Sequence, residues 1–189
     1  LGTNVIDSSG NDLTIHQDFY YLQYQNIGAF AQYQTHLGSA FIFSIGGRFD
    51  YNTRYGNTIN PRAGLVFKPN DKLNIRFLYG RAYLQPSPYR TYQHYGSFIP
   101  VTDSSSGTVT GLTANFWRLP DPELKPQTIN TVEVILSYLL TSNFAISVNG
   151  FYNTMDEIIS SEGYTGEEFH GIPVAYIERP INKGGASTY

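Results

Sequence analysis

The sequence contains no cysteine, which excludes disulfide scaffolds, thiolate metal sites and cysteine nucleophiles. Charge is scarce as well. Asp, Glu, Lys and Arg make up 14 % of the residues, against roughly 25 % in an ordinary soluble domain. The 12 basic and 15 acidic residues leave a net charge of −3, so the chain lacks the basic excess of a nucleic-acid interface. No apolar run approaches the roughly 20 residues of a spanning helix. Aromatic side chains and glycine are abundant: 16 Tyr, 12 Phe and 18 Gly in 189 residues. That content excludes a disordered chain, which would be poor in aromatics and rich in charge. A Tyr/Phe-rich, weakly charged β protein remains.

Alternation at a period of two is the strongest pattern. From Phe41 onward, Phe41, Phe43, Ile45, Phe49 and Tyr51 share one side, opposite Ser44, Arg48 and Asp50. The segment 27–35 places Ile27, Ala29, Ala31 and Tyr33 against Gly28, Gln32 and Gln34, with Phe30 as an aromatic on the polar side. Leu65 and Phe67 oppose Arg62; Leu73, Ile75, Phe77 and Tyr79 oppose Asn74 and Arg76. Val132, Val134, Leu136 and Tyr138 oppose Glu133, and Phe144, Ile146, Val148 and Tyr152 oppose Ser147 and Asn149. A further strand is expected to start near Ile181.

The connections alternate in length. Residues 36–39, 69–71 and 141–143 read as tight turns rich in turn-forming residues. Longer loops are expected over about 1–24, 54–60, 84–128 and 158–180, and one of 84–128's length is uncommon in a compact soluble domain. Short turns at one end and long loops at the other fit an outer-membrane barrel with periplasmic turns and extracellular loops. Strands of ten or more residues suit a tilted bilayer crossing of roughly 9–11 residues, and Tyr33, Tyr51, Tyr79, Tyr138 and Tyr152 sit near strand ends, as an interfacial belt requires. The expected lipid-facing set is Phe41, Phe43, Ile45, Phe49, Leu65, Phe67, Leu73, Ile75, Phe77, Val132, Val134, Leu136, Phe144, Ile146 and Val148. The expected lumen-facing set is Arg48, Asp50, Arg62, Arg76, Glu133, Ser147 and Asn149. Arg81 is the single charge on an apolar face within these strands, beyond Tyr79, where a charge costs little. Alternation would also suit a soluble, carbohydrate-binding β-sandwich, whose core selects the same residues. About six or seven strands cannot close by themselves, since the smallest single-chain barrels have eight. An open edge in lipid would leave backbone groups unpaired at a few kcal/mol each. The expected architecture is therefore all-β: an antiparallel transmembrane β-barrel segment of about six or seven strands within a larger barrel.

Several segments, in order, resemble one family. Ile45-Gly46-Gly47-Arg48-Phe49-Asp50-Tyr51 is similar to a "G-x-R-x-D" strand, and Pro61-Arg62-Ala63-Gly64-Leu65-Val66-Phe67-Lys68-Pro69 to "SPRxGLxYKP". Leu78-Tyr79-Gly80-Arg81-Ala82-Tyr83 with Pro86-Ser87 is similar to "YGRAFRAPS", with Leu84-Gln85 departing from it. Asp121-Pro122-Glu123-Leu124-Lys125-Pro126-Gln127-Thr128 is similar to "NPxLKPE", with Asp121 and Gln127 as departures. Tyr152 to Ile159 and Asn182-Lys183-Gly184-Gly185-Ala186 are similar to "YxxxIxDLI" and "NxGxA". Together they resemble the TonB-dependent outer-membrane receptors. The resemblance implies a slice of a barrel of about 22 strands with a plugged lumen, located in the bacterial outer membrane. It implies import of a scarce nutrient such as a ferric siderophore, cobalamin or a glycan. Its implied partners are outer-membrane lipid, the remaining strands, a plug domain and, through the plug, the TonB complex. A general porin or an adhesion barrel is the alternative within membrane barrels.

No catalytic constellation stands out. His16, His36, His94 and His170 lack metal-ligand spacing. The pairs Asp156-Glu157 and Glu167-Glu168 put neighbouring carboxylates on opposite faces of a strand. Neither enzyme activity nor a cofactor is expected. Recognition potential concentrates in the 84–128 loop, in Tyr89, Arg90, Tyr92, His94, Tyr95, Phe98, Phe116, Trp117 and Arg118. Tyr and Trp offer contact area and polar tips at low entropic cost, so these residues are the expected ligand contacts, packing of the loop on itself being the competing reading.

Overall fold

The computed structural model describes residues 21–189, and the expected loop 1–24 lies almost wholly outside them. In chain order the elements are β1 (Asn26–Leu37), β2 (Phe41–Asn52), β3 (Gly56–Phe67), β4 (Leu73–Leu84), α1 (Pro88–Tyr92), β5 (Tyr95–Gly96), β6 (Ile99–Thr102), β7 (Val109–Thr113), β8 (Trp117–Arg118), β9 (Gln127–Thr141), β10 (Phe144–Phe169) and β11 (Ile172–Thr188). They divide into two compact units. One comprises Tyr24–Pro86, Lys125–Ile159 and Asn182–Tyr189; the other contains Ser87–Leu124 and Ser160–Ile181. No helix among the described residues is long and apolar enough to cross a membrane; in a barrel the crossing elements are strands.

The first unit is an antiparallel wall that runs β1-β2-β3-β4-β9-β10-β11 and does not close on itself. β1 pairs with β2 from Asn26↔Asn52 to Leu37↔Phe41, and β2 with β3 from Asn52↔Gly56 to Phe41↔Phe67. Its register carries the alternation across the sheet. Phe43, Leu65, Phe77 and Val134 fall in one row, and Ser44, Gly64, Leu78 and Glu133 in the next. The rings of Phe41 and Phe67 stack at 4.6 Å between centroids. On the other side, polar groups answer one another along and across strands. Arg48 Nε donates to both Asp50 carboxylate oxygens at 2.8 Å, Asn149 Nδ2 to Glu133 Oε1 at 2.8 Å, and the Ser137 and Ser147 hydroxyls meet at 2.8 Å. Gly28 faces Asp50, and a Cβ there would lie 2.8 Å from the Asp50 carboxylate and 2.9 Å from the Arg48 guanidinium. The missing side chain leaves room for that ion pair.

Along β9 the burial pattern is inverted relative to a soluble sheet. Val132, Val134, Leu136, Tyr138 and Leu140 are exposed, while Thr131, Glu133 and Ser137 between them are half-buried. Val134 is 38 % exposed and Val148 63 %; Phe43 and Ile75 are half-buried. A sandwich would seal these side chains beneath a second sheet, and no such layer lies over them among the described residues.

The strands run further than alternation predicts. The expected loop over 54–60 shrinks to the turn 53–55, because Gly56 to Asn60 continue β3 along β2. Those residues are polar on both faces apart from Ile59, so they lack alternation although the backbone ladder is intact. The expected loop over 158–180 is likewise strand: β10 continues to Phe169, His170 and Gly171 turn, and β11 begins at Ile172 rather than near Ile181. Burial there recurs at Val174, Ile177 and Pro180, every third residue, a spacing that a search for period two reads as irregular.

Two motif segments meet in the wall. The Asn182 amide donates to the Lys125 carbonyl at 3.0 Å and to the Glu157 carbonyl at 2.8 Å, and its oxygen accepts from the Lys125 N–H at 2.8 Å. Glu157 holds φ at 56°, a left-handed conformation that non-glycine residues rarely adopt. Asn182 therefore fixes the strand beginning after Lys125 against an irregular point of β10.

Candidate ligand-binding loops

The second unit is built around tryptophan. The helix α1 starts at Ser87, whose hydroxyl accepts from Arg90 N–H at 3.4 Å and whose carbonyl accepts from Thr91 N–H at 3.1 Å and Thr91 Oγ1 at 2.7 Å. Pro88 suits the first turn because it lacks an N–H that would have no partner there. β5 pairs antiparallel with β8, and β8 lies parallel to β11 at Ile177 and Glu178. Ala114, Trp117, Val174 and Ile177 form the buried core. The Trp117 ring packs against Phe98 at 4.5 Å and Phe169 at 4.9 Å, those two lying 6.4 Å from each other, and its Nε1 donates to His94 Nδ1 at 3.5 Å. Burial, then the charge of nearby His170, hold the His94 imidazole below its ordinary pKa.

The nine expected contact residues therefore part company. Trp117, Phe98 and His94 turn inward and pack the loop. Tyr92 is half-buried, and the Arg90 carbonyl ties down Asp121 N–H at 3.1 Å. Tyr89, Tyr95 and Phe116 form a row at the surface with successive ring separations of 6.4 and 6.3 Å, which Tyr176 of β11 extends at 6.1 Å from Phe116. Arg118 supports the row. Its guanidinium lies 5.5 Å from the Tyr89 centroid and 5.9 Å from Phe116, donates to Tyr89 Oη at 3.0 Å, and is pinned by Glu178 Oε2 at 2.8 Å. Burial alone would raise the Glu178 carboxyl, but hydrogen bonds from Ser161 and Arg118, with the Arg118 charge, hold it below the usual range. The same hydrogen bond raises the Arg118 guanidinium. Sequence reasoning missed Tyr176 and Glu178, since their strand lacks alternation.

Residues 103–108 form a tied turn. The Asp103 carboxylate accepts from the Ser105 and Ser106 N–H groups at 2.8 and 3.0 Å and from the Ser105 hydroxyl, and this lowers its pKa to about 2. Among the described residues, no group of three or more His, Asp or Glu is placed to hold a metal ion.

A wall of long antiparallel strands, apolar on the exposed side and carrying structured loops, defines a barrel-type fold. The family described as TonB dependent receptor-like, beta-barrel matches residues 2–176, and the chain belongs to that family. Among solved structures it resembles the ferric enterobactin receptor PfeA of Pseudomonas aeruginosa in a mutant form, at 18 % identity and a TM-score of 0.66 over 87 % of this chain and 23 % of that one. It also resembles the siderophore receptor PirA of the same organism, at 14 % identity and a TM-score of 0.67, covering 87 % of this chain and 29 % of that one. The outer membrane transporter YddB of Escherichia coli matches at 17 % identity and a TM-score of 0.66, over 96 % of this chain and 23 % of that one. The chain thus spans about a quarter of the length of these neighbours. No curated protein sequence is similar enough to count as a relative.

Proposed function

We propose that this chain supplies part of the wall and outer loops of an outer-membrane transporter that captures a scarce nutrient and imports it with energy relayed through TonB. The observation that carries the reading is the family match over a sheet whose apolar side is left uncovered. In this reading the apolar side meets lipid, the side bearing Arg48, Asp50, Arg62, Arg76, Glu133, Ser147 and Asn149 faces the lumen, and further strands and a plug domain complete the receptor. Its role is binding and transport, not catalysis. One neighbouring structure is named as a ferric enterobactin receptor and another as a siderophore receptor, which supports a ferric siderophore ahead of cobalamin and glycans as the nutrient.

Capture falls to the aromatic row over Arg118. Replacing Tyr89, Tyr95 and Tyr176 together by Ala in the full-length receptor is expected to raise the Kd for the imported ligand by about tenfold or more. Ligand uptake by cells is expected to stop when TonB is deleted. Unchanged affinity in the triple variant would return the row to a packing role, and TonB-independent uptake would point to a diffusion pore.

A further inference from the structure

On the apolar side of the wall, three adjacent strands change chemistry at one level. Tyr79 of β4, Val132 of β9 and Tyr152 of β10 stand opposite one another, as Tyr79↔Val132 and Tyr152↔Val132, and all three are exposed. They close an apolar band that starts at Leu73, Leu140 and Phe144. The next row on the same side is Arg81, Asn130 and Thr154, as Arg81↔Asn130 and Thr154↔Asn130. Apolar and aromatic side chains thus give way, on β4, β9 and β10 together, to a guanidinium, an amide and a hydroxyl. The change falls towards the end of β4 that runs on into the 84–128 segment.

Register and a side-chain contact both bring this row together. Residues directly opposite across antiparallel strands have Cβ atoms about 4.5–5.5 Å apart, so Asn130 stands beside both Arg81 and Thr154. The Tyr79 hydroxyl donates to Asn130 Oδ1 at 3.3 Å, which ties the two rows together. With its oxygen engaged by Tyr79, Asn130 has its amide NH₂ left to donate. Arg81 is exposed and has neither an ion pair nor a hydrogen bond among the described residues. No carboxylate stands in the row. Asp156 pairs with Thr128 one row further along, and its strand β10 is separated from β4 by β9. The row offers one unneutralised cation and two neutral donors.

We propose that Arg81, Asn130 and Thr154 bind the phosphate group of an anionic lipid whose acyl chains lie on the band below Tyr79, Val132 and Tyr152. The proposal rests on the lipid-facing reading of this side and is independent of nutrient capture. Chains packed on the band bring a lipid's phosphate to the first polar level beyond the hydrocarbon. At that level an arginine costs little. Its stem stays on apolar surface while its head reaches the interface, and its planar fork matches phosphate oxygens in pairs. Tyr79 and Tyr152 flank the level as interfacial aromatics do. A terminal phosphomonoester fits best, because it carries more charge and more free oxygens than a phosphodiester capped by choline.

Native mass spectrometry of the full-length receptor, released from a non-ionic detergent and titrated with dioleoyl phosphatidate or dioleoyl phosphatidylcholine, tests the site. The wild type is expected to retain one more phosphatidate than Arg81→Gln, with the site weakened by about tenfold in the variant, the worth of one hydrogen bond to a charged group. Phosphatidylcholine should be retained equally by both. Asn130→Ala should weaken the same site by about threefold. Heat-modifiable gel mobility reports whether each variant folds. If Arg81→Gln does not fold, Arg81→Lys keeps the charge, loses the fork and should still weaken phosphatidate. Excess inorganic phosphate should leave the bound phosphatidate in place, and displacement would mark a site for soluble phosphate and overturn the lipid proposal. Phosphatidylcholine with a diazirine on its acyl chain should label residues 73–79 and 132–138 in wild type and variant alike. Labelling with no difference in phosphatidate retention would overturn the proposal and leave the lipid-facing reading intact; absence of labelling would overturn both.

Discussion

At the scale of single residues, the loop unit depends on a few side chains with no substitute. The chain's one tryptophan is buried and packed against two phenylalanines, so its fluorescence reports that core alone. A Cβ added at Gly96 would lie 2.3 and 2.7 Å from Trp117 ring atoms and 2.8 Å from the Phe116 carbonyl oxygen. Neither the buried ring nor the backbone can withdraw cheaply. Gly96→Ala should destabilise the loop unit by about 1–3 kcal/mol and shift the Trp117 emission to the red. Titration adds a second handle. His94 has a depressed pKa in the folded chain, so the unfolded chain binds more protons between the folded and unfolded values. Its contribution is complete above about pH 6.5 and is lost as pH falls through the folded pKa. Glu178, also depressed, contributes above the ordinary carboxylate pKa of about 4.3 and loses that contribution at lower pH still. Relative to the intrinsic exchange rate at each pH, the amides of residues 172–178 should lose protection between pH 7.5 and 5.5, and His94→Phe should remove that step without touching the more acidic one. An equal step in the variant would show that another group is responsible.

At the scale of elements, the readable strands are those in which one chemical contrast repeats at every second residue. β2, β4 and β9 could be traced from Phe41, Leu73 and Val132 onward because an apolar residue recurs at every second position opposite a side that carries Ser44, Arg48, Asp50, Asn74, Arg76, Glu133 and Ser137. Gly56–Asn60 and Ser160–Phe169 could not, since polar residues occupy both faces while the ladder rests on backbone groups that carry no side-chain pattern. The candidate site was legible as a composition of aromatic residues and arginine. Which of them turn inward was not, because that depends on Val174 and Ile177 arriving from a strand whose burial repeats every third residue. Motif segments were visible as text, but the contact between Lys125 and Asn182 belongs to tertiary structure. Asn182→Ala removes three hydrogen bonds that join β11, β10 and the approach to β9. At about 0.5–1.5 kcal/mol each, the expected loss is about 2–4 kcal/mol, seen as a lower denaturant midpoint of the full-length barrel. The amides of Lys125 and the residues after Glu157 should lose protection first, and an unchanged midpoint would mean that the ladders alone hold this junction.

At the scale of the whole molecule, the two sides of the wall should respond to charge in opposite ways. Neighbouring residues of β10 provide the comparison. Val148 lies in the row of Leu136 and Ile75, and Ser147 opposes Ser137 on the other side. In a soluble sheet each would report only its own local packing. In a bilayer, Val148→Arg puts a guanidinium among acyl chains, at about 2–4 kcal/mol near the midplane. Ser147→Arg projects into a polar interior that already holds Arg48, Arg62 and Arg76, and it loses only one hydroxyl contact. The pair shares strand, depth and substituent, so the strand propensity of the introduced arginine is common to both. Reversible unfolding of the full-length barrel from lipid vesicles should show Val148→Arg less stable than Ser147→Arg by at least about 2 kcal/mol. In detergent micelles that adapt to the charge, the difference should shrink. Equal destabilisation in vesicles would remove the lipid-facing assignment, and with it the reason for an uncovered apolar sheet face.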